Sequence, residues 1–500
     1  MLKKDNSYNH ILKYTGLLGG VQVIYILMAV IRNKFTALFI GPWGMGVVLV
    51  YTKAAEFIGN TTNFGIAFSA VRRLAELNER GERQALEQYI KLIRSWTLIT
   101  AIFGMLTCAA FAPVLSQQML GSHHTTRGFV LLSPMVFMLT FLGGELAILK
   151  GLQRLRRMAA VSAVSAVLTT ALTILIYWQL DIHGILPVLL TTTAATLLLN
   201  LHATTRDFPY RVGLRSMNLL RRGGHMIKLG SAFILAGLLG SGADMIITAS
   251  IARTSSPHAV GLYGAGFTLI VSYARLIFAS MDADYFPRLS ATGEDLTRRN
   301  TTINRQIDVL VLLMGPFLIL FTLFLPVLVP LLYSEKFLLV IPMAICAMSY
   351  MFFKAVYAPI SYLPLARGDS FVYLGMEALY DTVYVLSVMA GYYYRGLVGA
   401  GLGLSFAHLF DLLAVSTVYR FRYGFHFEGS TLRRAAAQYA LLSASLLATA
   451  WLAPVPKALV GSVTAALSVA LSWRLLRHET AVTAKLEKLK EKLTRPRHEA

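Results

Sequence analysis

The stretch GMGVVLVYTKAAEFI, Gly44 to Ile58, is echoed by AVGLYGAGFTLIVSYARLI, Ala259 to Ile277, with Gly46 falling on Gly261 at an offset of 215 residues. Just beyond these two apolar runs, Arg73 and Leu74 of AVRRLAE fall on Arg288 and Leu289 of YFPRLSA, again 215 residues apart. A third echo, Gly151 against Gly368, needs an offset of 217. Apolar helices resemble one another by chance, which is the alternative reading of the glycine match; the Arg-Leu match at an equal offset weighs against it. The two copies occupy the second and the eighth apolar runs of the chain, so the period is six helices. Because six is even, both copies enter the membrane in the same direction. Parallel halves of this kind enclose a substrate site between them near the midplane and work by rocking one against the other.

The remainder of the sequence fits that frame. Of 500 residues, 56% are hydrophobic and 14% charged, where soluble chains carry about 25% charged residues. A membrane-crossing helix needs roughly 20 mostly apolar residues. Runs of that length occur at 10–31, 45–69, 95–115, 128–149, 159–180, 184–203 and 229–251, and again at 260–282, 308–333, 338–363, 371–393, 397–419, 435–453 and 458–475. The expected fold is an all-α integral membrane protein of about fourteen transmembrane helices, with two parallel six-helix lobes and two extra C-terminal helices. Its expected parts are an N-lobe over 1–205, a basic cytoplasmic linker over 206–228, a C-lobe over 229–425, two further spans over 426–476 and a basic tail over 477–500. Cys108 and Cys346 lie in apolar runs, where a thiol behaves as a small hydrophobe; no disulfide and no metal site is expected. The first apolar run is too long for a signal-peptide core and has no small-residue cleavage site, so it is expected to remain as a helix.

A net charge of +21 would suit nucleic acid or a membrane surface, and its distribution decides between them. With a cytoplasmic N-terminus, about 36 of the 46 Lys and Arg residues fall in cytoplasmic segments, as the positive-inside rule requires. An odd number of spans would break that pattern. The basic excess is accounted for by topology and by attraction to anionic lipid headgroups, and no nucleic acid is expected as a partner.

The segments IRNKFTALFIGPWGMGVVLV (31–50), FGIAFSAVRRLAE (64–76), AILKGLQRLRRMA (147–159) and VGLYGAGFTLIVSYARLIFASMDADYFPRLSA (260–291) resemble bacterial O-antigen translocases, the Wzx-type polysaccharide flippases. The resemblance covers the whole chain, with little motif in the last two spans. It implies the multidrug/oligosaccharidyl-lipid/polysaccharide exporter superfamily, with two six-helix lobes around a central cavity. It further implies an oligosaccharide on undecaprenyl diphosphate as cargo, moved across the bacterial inner membrane to the periplasmic leaflet, and a polysaccharide polymerase as a partner.

Such a cargo needs a polar path for sugars, cations for the diphosphate and an opening for the lipid tail. Ionisable side chains inside membrane helices cost at least about 2.5 kcal/mol at the helix centre, which makes them functional candidates. The cationic ones are Arg32, near the outer end of span one, Lys53, Arg275 and Lys354. Arg32 and Lys53 could instead snorkel to the interface, and Lys53 could pair with Glu56 at i, i+3. Glu145 and Asp244 are lone carboxylates suited to neutralise the cavity cations. Glu377 and Asp381, at i, i+4, would face one side of a helix, and two such carboxylates raise each other's affinity for a proton; H+ or Na+ bound there could couple transport to a gradient. The alternative is that they cap polar groups of neighbouring helices. His408 and Asp411 share a helix face at i, i+3, where packing competes with a proton relay for the histidine.

No other cofactor is expected. No Walker A motif is present, so the chain does not hydrolyse ATP. The triplet Asp282-Ala-Asp284 resembles the metal-nucleotide motif of many glycosyltransferases, yet no nucleotide-binding fold or large loop accompanies it. The rival transporters are a lipid II flippase and an ion-coupled drug antiporter; the latter would normally stop at twelve spans.

Overall fold

The computed structural model describes residues 4–121, 123–213, 217–280 and 285–479, with the side chains of these except at 4–23, 66–69, 72, 124, 155, 217–234, 236, 273, 275, 276, 279, 280, 478 and 479. Among the described residues every regular element is helical, and the helices provide fourteen segments of membrane-crossing length. Residues 480–500 of the basic tail and the Asp282-Ala-Asp284 triplet lie outside the described residues.

The first two spans are the arms of one bent helix, α1 (Lys4–Thr62), which leaves helical geometry only at Gly41, φ 60° and ψ −171°. Pro42 opens the second arm, where a missing N–H and a fixed φ suit the first turn. The expected end of span one at residue 31 is therefore corrected. The polar triplet Arg32-Asn33-Lys34 reads as a membrane boundary, but Phe35 to Ile40 continue the apolar pattern and the helix runs through it to residue 40. Span two also ends earlier than expected, at Thr62, because Phe64 and Gly65 adopt left-handed φ values of 46° and 62°. A separate helix follows, α2 (Ile66–Glu79). It buries Leu74 and Leu77 against Leu86, Ile90 and Ile93 of α3 (Arg83–Leu120) and Ile148 of α4 (Thr126–Gly151). Gly151 makes this docking close, since a Cβ there would lie 2.4 Å from that of Leu74.

The described residues fall into two compact units: those in 1–265, 329–339 and 377–385, and those in 266–328, 340–376 and 386–500. In the first unit, α1, α3 and α4 pack with α5 (Leu155–Leu180), α6 (Ile185–Thr205) and α7 (Met217–Thr254). The opening turns of α8 (Pro257–Ser280) join them, and there the two glycines of the repeat meet: Gly46 on α1 and Gly261 on α8 are in backbone contact. The Arg-Leu echo also has a shared use. Leu74 is fully buried on α2, and Leu289, on the short helix α9 (Phe286–Ser290), is 1% exposed. The third echo has none, because Gly151 ends α4 in helical geometry against Leu74 of α2, whereas Gly368 turns the chain at φ 72° after α12 (Leu363–Ala366).

The second unit holds α10 (Leu296–Leu332), α11 (Ile341–Ser361), most of α13 (Ser370–Tyr423), α14 (Gly429–Trp451) and α15 (Pro454–Glu479). Like α1, α13 is two spans joined at a kink, here at Arg395 and Gly396. Its arms approach so closely that a Cβ on Gly403 would lie 2.4 Å from the Ser387 carbonyl oxygen. The last two helices are tied in by buried polar contacts. Gln438 of α14 bonds Ser472 and Ser468 of α15 at 2.9 and 2.5 Å, and Arg434 pairs with Asp308 of α10 at 2.5 Å.

Candidate functional site

Three groups of predicted residues can be placed. In the first unit, Lys53 projects from the second arm of α1. Its ammonium lies 2.8 Å from Asp244 of α7 and 3.2 Å from Glu56, one turn along. Tyr384 of α13 is 3.4 Å from the other Asp244 oxygen and 3.5 Å from the Tyr263 hydroxyl. Asp381, one turn before Tyr384, is 7% exposed, and the carboxylates of Glu377 and Asp244 lie within electrostatic range of it. Among the described residues Asp381 Oδ2 has no hydrogen-bond partner. One ammonium thus belongs to a connected group of four carboxylates. Of the three sequence readings of Lys53, the structure shows the ion pair, and the surrounding carboxylates oppose an anion there. What the cluster suits is a cation or proton, because a buried carboxylate without donors gains from either.

Arg32 lines a cavity of about 310 Å³ between the first arm of α1 and helices α4, α5 and α6. It sits two turns before the Gly41 bend, within the helix rather than at its end. Among the described residues no carboxylate pairs with it. The facing surface is a row of hydroxyls, including Ser165, Thr169 and Thr193. These escaped a sequence reading because short threonine runs such as Thr169-Thr170 and Thr191-Thr192-Thr193, set among apolar residues, do not disturb a transmembrane pattern.

In the second unit, Lys354 of α11 lies 5.8 Å from the centre of the Tyr350 ring and 6.0 Å from that of Phe278. Among the described residues it has no carboxylate partner, and aromatic faces are what hold it. His408 packs against Tyr350 with ring centres 3.8 Å apart, and its Nδ1 lies 3.0 Å from the Leu404 carbonyl. This is the packing role. Asp411 is buried one turn further along α13. Arg275 falls on α8, and its side chain lies outside the described residues.

Glu145 is corrected. The expectation made it a cavity carboxylate; the structure seals it, 1% exposed, in a two-pronged pair with Arg94 at 2.9 and 3.2 Å. Thr204 also donates to it, and Arg94 further bonds the carbonyls of Phe208 and Pro209, both at 3.0 Å. Arg94 closes a basic run and reads as the end of a loop. In fact α3 begins at Arg83, and Arg94 is three turns inside it. Among the described residues no group of three or more His, Cys, Asp or Glu side chains is placed to hold a metal ion.

The arrangement has counterparts among solved structures. The lipid II flippase MurJ, in an inward closed conformation, matches with a TM-score of 0.71 at 12% identity, over 93% of this chain and 99% of that one. An inward-facing multidrug resistance MATE family transporter matches with a TM-score of 0.61 at 17% identity, over 80% and 94%. A Vibrio cholerae MATE transporter matches at 0.56 and 14%, over 81% and 98%. The fold is thus that of the MOP superfamily of membrane transporters, and the chain is a multi-pass membrane protein. Over residues 27–342 its sequence matches the polysaccharide biosynthesis proteins, and it belongs to that family. No curated protein matches its sequence.

Proposed function

We propose that this protein is a flippase for an undecaprenyl-diphosphate-linked oligosaccharide, an O-antigen or related surface-polysaccharide repeat unit. By alternating access it would move that cargo from the cytoplasmic to the periplasmic leaflet of a bacterial inner membrane, with both termini cytoplasmic and a polysaccharide polymerase downstream. The observation that carries this reading is membership of the polysaccharide biosynthesis family over 27–342. The resemblance of MurJ, a lipid II flippase, supports a lipid-linked cargo. Arg32 and Lys354 support it chemically, since each is an internal cation without a carboxylate partner among the described residues and is available to phosphate oxygens. The acidic cluster of Asp244, Glu377 and Asp381 supports coupling to H+ or Na+, with Lys53 as its internal counter-charge.

The test is reconstitution into liposomes carrying a short oligosaccharide-diphosphate-undecaprenol in one leaflet, following its appearance in the other. Movement is expected in the wild type and its loss in Arg275→Ala and Lys354→Ala. Transfer of lipid II in preference to other glycans would reassign the cargo. Export of an organic cation without any glycan movement would make the protein a drug antiporter.

A further inference from the structure

The cavity beside Arg32 has two walls of different chemistry. One is apolar, formed by Leu139, Leu142 and Leu146 of α4. The other carries hydroxyls of α5 and α6, and the protons of its threonines are already committed. Thr169 donates to the Ser165 carbonyl at 2.7 Å, Thr192 to Val188 at 2.6 Å and Thr193 to Leu189 at 2.7 Å. Thr170 donates across to the Met28 carbonyl of α1 at 3.2 Å. A hydroxyl that has spent its proton keeps its lone pairs, so these threonines offer acceptors. Arg32 contributes N–H donors and a positive charge.

A fitting ligand therefore has an apolar face, several hydroxyl donors and one anionic group. A lipid tail would satisfy the leucines and leave the Arg32 charge without an anion. A bare inorganic anion would satisfy Arg32 but offer no apolar face to the leucines. We infer that this cavity binds a sugar bearing a carboxylate or phosphate. The C–H face of its ring packs on the leucines, its hydroxyls donate to the threonine oxygens and its anionic group sits on Arg32. The volume, about 310 Å³, is at the lower end for small-ligand pockets, which run roughly 300–1,000 Å³. The inference rests on the flippase reading and adds to it an acidic sugar in the glycan.

Saturation-transfer NMR on the full-length protein in nanodiscs tests it, with D-glucuronate, glucose 1-phosphate and D-glucose as probes and inorganic phosphate as competitor. At least one acidic sugar should bind, with glucose weaker by about tenfold, and Arg32→Gln should weaken the acidic sugar by a similar factor, as expected for a lost charge-assisted hydrogen bond. Whichever acidic probe binds better identifies the anionic group. Thr192→Val, a substitution of matching shape at a half-buried position, should weaken the acidic sugars and glucose alike; it carries the test if Arg32→Gln fails to fold. Equal binding of glucose and the acidic sugars, binding unaffected by either substitution, or displacement by phosphate as effective as by sugar would overturn the inference. Continued flipping of a neutral lipid-linked oligosaccharide alongside those results would leave the flippase reading standing. Sugar binding without flipping would instead count against that reading alone.

Discussion

Gly46 and Gly261 each rest on the backbone of the other's helix. A Cβ on Gly46 would lie 1.7 Å from the Pro257 carbonyl oxygen, and one on Gly261 would lie 1.8 Å from that of Pro42. Each proline stands four residues before its glycine, so exchanging the repeat copies maps the contact onto itself. Gly46→Ala or Gly261→Ala should push the helices apart and cost about 1–3 kcal/mol each, as overpacking does. The double substitution should cost less than the sum, because both open one crossing. Thermal unfolding in detergent measures this, and two neutral single substitutions would mean the crossing yields freely.

Glu145 and Arg94 form a sealed pair, and removing one partner of such a pair costs about 3–5 kcal/mol. Glu145→Gln should lower the unfolding midpoint sharply. The double change Glu145→Leu with Arg94→Met should recover part of the loss, because no uncompensated charge remains. A single substitution as mild as an exposed one, within about 0.5 kcal/mol, contradicts the pairing.

Asp381→Asn preserves shape and removes the charge. If the acidic cluster couples transport, wild-type flipping accelerates under an imposed proton or sodium gradient and the variant flips at a rate indifferent to it. A variant that still follows the gradient removes Asp381 from the coupling site.

At the junction of α12 and α13, Arg422 at 2.9 Å and the Tyr423 hydroxyl at 3.0 Å hold the Asp369 carboxyl below its usual value of 3.8. A carboxyl depressed by folding stabilises above its unfolded value and loses that effect as pH falls through the folded one. Asp369→Asn should therefore lower the unfolding midpoint by a constant small amount from pH 8 to 5, with the gap to wild type closing below about pH 4. A gap that widens in acid has the wrong sign for this contact.

The spans were legible because fourteen apolar runs need only be counted, and a glycine marks both kinks, with a proline beside the first. The ends were less so. Arg32-Asn33-Lys34 reads as a water-facing boundary, yet Lys34 reaches the Pro330 carbonyl at 2.7 Å and the helix continues. Ionisable residues inside apolar runs were legible one by one, but their partners were not. Glu56 lies within a turn of Lys53, so that contact is visible in spacing. Asp244 is 191 residues away, and only the fold brings it there. Arg94 was hidden by its neighbours: a cation at the end of a basic run looks solvated, and only the depth of its helix reveals otherwise. The hydroxyl wall left no signal in hydropathy at all, because a threonine bonded to its own helix backbone is tolerated in an apolar run.

A contact that maps onto itself when the two copies are exchanged is what a two-fold axis produces between identical subunits. The proline-glycine crossing of α1 and α8 thus has the form of an isologous interface inside one polypeptide, in which one local surface serves on both sides of the contact.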